Sequence, residues 1–204
     1  TAFLDGFYYR PRIDKEVLGE HSEGLIGLSG CLKGEIPRLL LTGSFDDALA
    51  AGQRYVGIFG KDNFFIELQD NGMEEQAQVL DGLCEIAAKL GVGTVATNDV
   101  HYMSPEDSRA HDALLCINTG KTLQETQRMR FPTDQFYFRT PDEMRRIFGR
   151  FPGAIENTGR VAERCNATID LSTLHFPTFT PPDGESAQQF LRELSEQGFA
   201  KRYP

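Results

Sequence analysis

Short apolar runs alternate with longer stretches whose apolar residues recur every three to four positions. The run "GLIGLSG" (24–30) is apolar and ends in glycine, which predicts a buried strand. A short helical turn, "GEIPRLLLTG", follows and is closed by glycine. Residues 44–60 then carry a helical stripe, with Ser44 as N-cap, Asp47 completing a capping box and Gly60 as the stop. "NFFIELQ" (63–69) predicts a second strand, 74–91 a second long helix ending at glycine, and "GTVATN" (93–98) a third strand. This β-α-β-α-β order argues for an α/β fold with parallel strands joined by crossovers.

Beyond residue 100 the period changes. Ser104, Pro105 and Asp107 make a helix start for 104–120. Residues 120–136 are polar and irregular, "QFYFRT" (135–140) predicts a short strand, and helices follow in "TPDEMRRIFGRF" and "PGAIENTGRVAERCN". The stretch 175–186, with Pro177, Pro181 and Pro182, suits an extended linker. A last amphipathic helix (186–201) has nothing after it to pack on. With no methionine at position 1, the chain reads as an internal piece of something longer.

Composition narrows the function without naming it. The 204 residues suffice for one good core, with 40% hydrophobic and 25% charged residues, the balance of a soluble globular protein. No window is apolar enough to span a bilayer and no signal peptide is visible, so no membrane partner is expected. The net charge of −9 argues against this segment as a main nucleic-acid grip, which needs concentrated Lys and Arg. It is compatible with an acidic pocket for cations. Four cysteines without a CxxC pair read as reduced cytosolic thiols. Cys84 and Cys116 fall in apolar helical runs, Cys165 ends a helix, and Cys31 sits apart in the glycine-bracketed turn "LSGCLKGE".

Parallel α/β folds place their chemistry where strands end. The three strands end at Ser29-Gly30-Cys31, at Glu67 to Asn71, and at Asn98-Asp99-Val100-His101. Asp99 and His101, two apart, would leave a strand toward one side. An imidazole beside a carboxylate can bind metal, perform acid–base chemistry, or pair structurally. If the strands align, Cys31 joins them, and thiolate, carboxylate and imidazole together suit zinc first, with manganese or iron also open. The plainer readings stay beside these: an Asp–His bond that locks a loop, and a cysteine that packs as a small apolar group. Glu67 and Gln69 share a strand face and either support such a site from behind or pair in the core. His111 reads as a half-buried helical histidine, and His21 and His175 carry no role. No phosphate-cradling glycine loop or nucleophile elbow is present.

Four blocks, "GLIGLSGCLKGEIPRLLL", "NFFIELQDNGMEEQ", "VATNDVHYMSPEDSRAHDALLCINTGKTL" and "RMRFPTDQFYFRTPDEM", taken in order, resemble the bacterial replicative DNA polymerase III alpha subunits, in their polymerase-and-histidinol-phosphatase (PHP) domain. The resemblance implies the C-terminal part of a distorted PHP-type β/α barrel over 1–174, a linker over 175–185, and the start of the polymerase region over 186–204. It implies that Cys31, Asp99 and His101 are metal ligands, further ligands of the family lying in motifs before Thr1. It implies divalent ions, zinc foremost and manganese or magnesium as alternatives, and a link to 3′→5′ exonuclease proofreading. The other function it allows is a non-catalytic scaffold that docks a proofreading subunit. For the whole polymerase it implies DNA and dNTPs as substrates, the sliding clamp, clamp loader and proofreading subunit as partners, and a cytoplasmic location.

Overall fold

The computed structural model describes every residue except His175 and Pro204. His175, assigned no role from the sequence, and the first position of the expected linker therefore lie outside the described residues. A small antiparallel pair, β1 (Phe7–Tyr8) and β2 (Arg10–Pro11), opens the chain. The helix α1 (Lys15–Glu20) is started by Asp14, whose carboxylate accepts from the Val17 N–H at 2.9 Å. Then come β3 (Gly27–Leu28), α2 (Glu35–Leu41), α3 (Phe45–Phe59), β4 (Phe64–Leu68), α4 (Glu74–Leu90) and β5 (Thr94–Ala96). The three strands form a parallel sheet in the order β3-β4-β5, with Gly27 opposite Phe64 and Leu68 opposite Ala96. The α/β class and the parallel sheet expected from the alternating pattern are both present.

The core follows from the two periodicities. Alternation in β4 sends Phe64, Ile66 and Leu68 into the interior and leaves Phe65 and Glu67 half-buried on the opposite face. Against the buried face pack Ala48 and Ala51 of α3 and Val79, Leu80, Leu83 and Ile86 of α4. Gly52 lets α3 approach α4 closely, because a Cβ there would lie 2.6 Å from Leu90 Cδ1. Farther along the chain, α5 (Ser108–Thr119), α6 (Pro141–Phe148) and α7 (Ala154–Arg164) follow. Phe148, Phe151 and Ala154 close the core from this side. Two side-chain bonds fasten α7 to β5, from Asn157 Nδ2 to the Thr94 carbonyl (2.9 Å) and from Thr158 Oγ1 to the Ala96 carbonyl (2.8 Å).

Several boundaries differ from the sequence reading, each for a local reason. Only Gly27 and Leu28 pair as a strand within 24–30, since Gly24 (φ +76°) and Gly30 (φ +80°) adopt left-handed conformations that end it on both sides. Ser44 precedes α3 but its side chain makes no cap hydrogen bond: its ψ of 72° lies outside the extended geometry of a capping serine. The Ser44–Asp47 capping box is therefore not formed. The helix expected over 104–120 opens as a 3-10 turn, Pro105–Asp107, in which the Asp107 carboxylate accepts from both the Ser104 N–H and its hydroxyl. "QFYFRT" forms no strand, only a single parallel bridge between Tyr102 and Tyr137.

Two compact units are distinguished, Thr1–Cys165 and Asn166–Pro204. The second contains a 3-10 turn, Pro182–Gly184, and α8 (Ala187–Arg202), capped by Ser186 and Gln189 in the manner of a capping box. Leu191, Leu194 and Phe199 of α8 are exposed. Among the described residues, no helix is long and apolar enough to cross a membrane.

Candidate functional site

The parallel register brings the three strand ends to one edge of the sheet, and Glu67 ties them together. Its backbone N–H donates to Ser29 Oγ (2.9 Å). Its carboxylate accepts from the Gly30 N–H (3.1 Å), from the Thr97 hydroxyl (2.5 Å) and from Gln69 Nε2 (3.2 Å). One side chain of the central strand thus grips the turn after β3 on one side and the residue after β5 on the other. Gln69 Nε2 also reaches Thr97 Oγ1 at 3.1 Å, while its carbonyl oxygen is buried without a hydrogen-bond partner among the described residues. Cys31 follows the Gly30 turn and is exposed.

Asp99 and His101 lie just past β5, in chain that has left the sheet. His101 Nε2 and Asp99 Oδ1 are 3.1 Å apart, and both side chains are more than a third exposed. The backbone here runs alongside the segment 136–138: the His101 N–H donates to the Phe136 carbonyl (2.8 Å) and the Phe138 N–H to the Tyr102 carbonyl (3.0 Å). Asn98 Nδ2 adds a bond to the Tyr137 carbonyl at 3.0 Å. The His101 ring meets Phe131 edge-on, with centroids 4.6 Å apart, and lies 5.5 Å from the ring of His111. Burial, and secondarily the neighbouring His101, push the His111 imidazole below its ordinary pKa against the pull of Asp112. The half-buried histidine read from the helical pattern is what α5 presents.

The donor types suit a divalent cation, but their arrangement does not complete a site. Among the described residues no three His, Cys, Asp or Glu side chains are gathered closely enough to hold a metal ion. Asp99 and His101 therefore stand as a pair, and Cys31, at the same edge of the sheet, does not join them. The central strand explains the separation, because β4 with its Glu67 network lies between β3 and β5.

Beside the pair lies a cavity of about 340 Å³, bounded by Tyr102, Arg109, His111, Asp112, Arg130 and Phe131 among others. Its wall is held by a bidentate bond from Arg128 to Asp112 (2.5 and 2.7 Å), which fastens the irregular 120–136 segment to α5. That bond holds the Asp112 carboxyl below its ordinary pKa. Sequence reading missed Arg109, Arg130 and Phe131. The available signal was "RMRF" (128–131), two arginines beside an aromatic in an otherwise acidic chain.

Comparison with known proteins places this geometry in context. The PHP domain family model matches residues 1–71. Over 211 aligned residues the chain is 46% identical to the DNA polymerase III subunit alpha of Thermus aquaticus, covering 100% of this chain and 17% of that protein. It is 42% identical over 203 residues to the subunit alpha of Treponema pallidum (strain Nichols), covering 99% of this chain and 17% of that protein. For the Deinococcus radiodurans subunit alpha the identity is 41% over 211 residues, with 100% and 16% covered. The chain spans about a sixth of the length of these curated relatives.

Proposed function

Along its whole length the chain is a relative of the DNA polymerase III alpha subunits, with a PHP-domain match over residues 1–71, and on that premise we propose that it serves DNA replication as the PHP segment of such a subunit. The whole protein is then a DNA-directed DNA polymerase acting on DNA and dNTPs in the cytoplasm, with the sliding clamp, clamp loader and proofreading subunit as partners. Residues 1–174 form the PHP portion, 175–185 the linker and 186–204 the entry into the polymerase region. Within the PHP portion, Asp99 and His101, with Cys31, are donors toward divalent ions, zinc first and manganese or magnesium as alternatives. Such ions, when bound, supply charge stabilisation and an activated water for 3′→5′ exonuclease proofreading. The observation that carries this reading is the exposed Asp99–His101 pair at the edge where the three parallel strands end.

The alternative is a non-catalytic scaffold that braces the polymerase and docks a separate proofreading subunit. One paired experiment separates the two. Elemental analysis and 3′→5′ nuclease assays on the complete protein are compared with His101→Ala and Asp99→Asn, with primer extension and thermal melting as controls. The exonuclease reading expects metal content and nuclease activity to fall at least tenfold while extension largely survives. Unchanged nuclease activity in folded, metal-depleted variants overturns the exonuclease reading and favours the scaffold.

A further inference from the structure

The cavity beside Asp99 and His101 has chemistry of its own. Arg109 and Arg130 both line it, both are exposed, and neither makes an ion pair or side-chain hydrogen bond among the described residues. The acids facing the same space are Asp112 and Asp134. Asp112 is already neutralised by Arg128, whose side chain is 3% exposed, and Asp134 accepts a hydrogen bond from Gln135 Nε2 at 2.7 Å. With Asp112 and Arg128 cancelling, the two arginines and Asp134 leave one net positive charge. Tyr102, His111 and Phe131 add aromatic side chains to the same wall, packed against one another at tilted and edge-to-face angles.

From this arrangement we propose that the cavity binds one nucleoside monophosphate unit, its phosphate held by Arg109 and Arg130 and its base set against the Phe131 side of the wall. Each feature selects part of that ligand. Unpaired guanidiniums at a concave surface match phosphate oxygens in a planar, forked geometry. Aromatic rings accept any base face by stacking. Asp134 can accept from an exocyclic amine or a sugar hydroxyl, and its charge disfavours the extra phosphates of a triphosphate. A volume of about 340 Å³ falls at the small end of ligand sites, enough for one nucleotide and too little for a duplex. The proposal rests on the replicative reading for its place beside Asp99 and His101, but it requires no metal.

The test is photo-cross-linking of the full-length protein with 8-azido-2′-deoxyadenosine monophosphate in EDTA, followed by peptide mapping. Label is expected in peptides from 102–134, displaced by dAMP far better than by deoxyadenosine or inorganic phosphate. Arg109→Ala and Arg130→Ala should each reduce that label about tenfold, the loss of one charge-assisted contact. Both positions are exposed, and thermal melting confirms that the variants fold. Displacement by a short single-stranded oligodeoxynucleotide as well as by dAMP assigns the site to a strand terminus; displacement by dAMP alone assigns it to a free nucleotide. Absence of label from peptides of 102–134, label there indifferent to both arginine variants, or equal competition by inorganic phosphate overturns the proposal. Asp99→Asn should keep the label, so loss of nuclease activity in that variant bears on the metal reading alone.

Discussion

Two polar regions lie past the strand ends, and they differ in how their charges are met. At the sheet edge the Glu67 carboxylate collects a backbone N–H, a hydroxyl and an amide, all from this chain. Around the neighbouring cavity Arg109 and Arg130 face solvent with no partner among the described residues. A half-buried carboxylate that finds three internal donors is a structural element, because leaving those donors unmet would cost more than any ligand contact needs to return. Arginines held at a concave surface without internal partners keep their hydrogen-bonding capacity for something else. Asp99 and His101 sit between these extremes, bonded to each other yet more than a third exposed. The lesson is to judge a charged residue by the capacity left over after the chain has used it, rather than by its type.

The largest expected effect tests the first region. Glu67→Ala strips the acceptor from the Gly30 N–H, the Thr97 hydroxyl and Gln69 Nε2, and should destabilise the protein by about 2–3 kcal/mol. The shift is read from the urea unfolding midpoint of the folded domain, with an unchanged slope. On the exonuclease reading proposed above, nuclease activity of the complete protein at permissive temperature should change little. If stability holds while metal content and nuclease activity vanish, Glu67 belongs with the ligand-facing groups and the contrast fails.

A smaller effect is expected from Asp112→Asn, which sharpens the contrast from the other side. The substitution leaves the nearly buried Arg128 guanidinium without its counter-charge. Asp112 is itself 31% exposed, so water takes up part of the lost charge, although Arg128 Nε lacks a hydrogen-bond partner among the described residues. Melting temperature should fall by less than for Glu67→Ala, and amide exchange should quicken across 120–136 more than in α3 or α4. Cross-linking in the cavity should weaken because its wall has loosened. Uniform exchange throughout the unit would mean that this ion pair does not hold the wall.

How much of this was legible in the sequence depended on how local each cause is. The stripes of α3 and α4 and the alternation of "NFFIELQ" appear as read, because burial of Ile66, Leu83 and Ile86 follows directly from period. Asp99 and His101 were recognisable as neighbours because they are two residues apart, although both lie past β5 and the strand alternation invoked for them does not apply. Cys31 was placed at the correct edge, but its separation from the pair depends on β4 lying between, which spacing along the chain does not encode. The segment 120–136 looked merely irregular. Its order comes from partners elsewhere in the chain: Arg128 with Asp112, the Thr133 hydroxyl on the Asn71 carbonyl at 2.6 Å, and Asn71 Nδ2 on the Gln135 carbonyl at 3.0 Å. Ser44 shows the converse, a local signal cancelled by the tight turn joining α2 to α3.

The smallest effect concerns the frame beneath His101 and is set by pH. Tyr137 lies beside the backbone that positions Asp99 and His101, and its hydroxyl donates to Glu143 at 2.7 Å. That bond, with the N–H and hydroxyl of Thr140, draws the Glu143 carboxyl from its ordinary 4.5 down to about 2. Because the folded value is the lower one, the unfolded chain takes up the proton first as pH falls. The stabilisation is therefore complete above about pH 4.5 and disappears as pH drops toward 2. Glu143→Gln removes the titration while keeping the shape. Its melting temperature should lie slightly below that of the unsubstituted protein at pH 7, and the two curves should converge between pH 4.5 and about 2. A gap that stays constant across that range would show that the contact between Tyr137 and α6 depends on hydrogen bonding alone. The frame under the Asp99–His101 pair would then belong with the internally satisfied region, independent of charge.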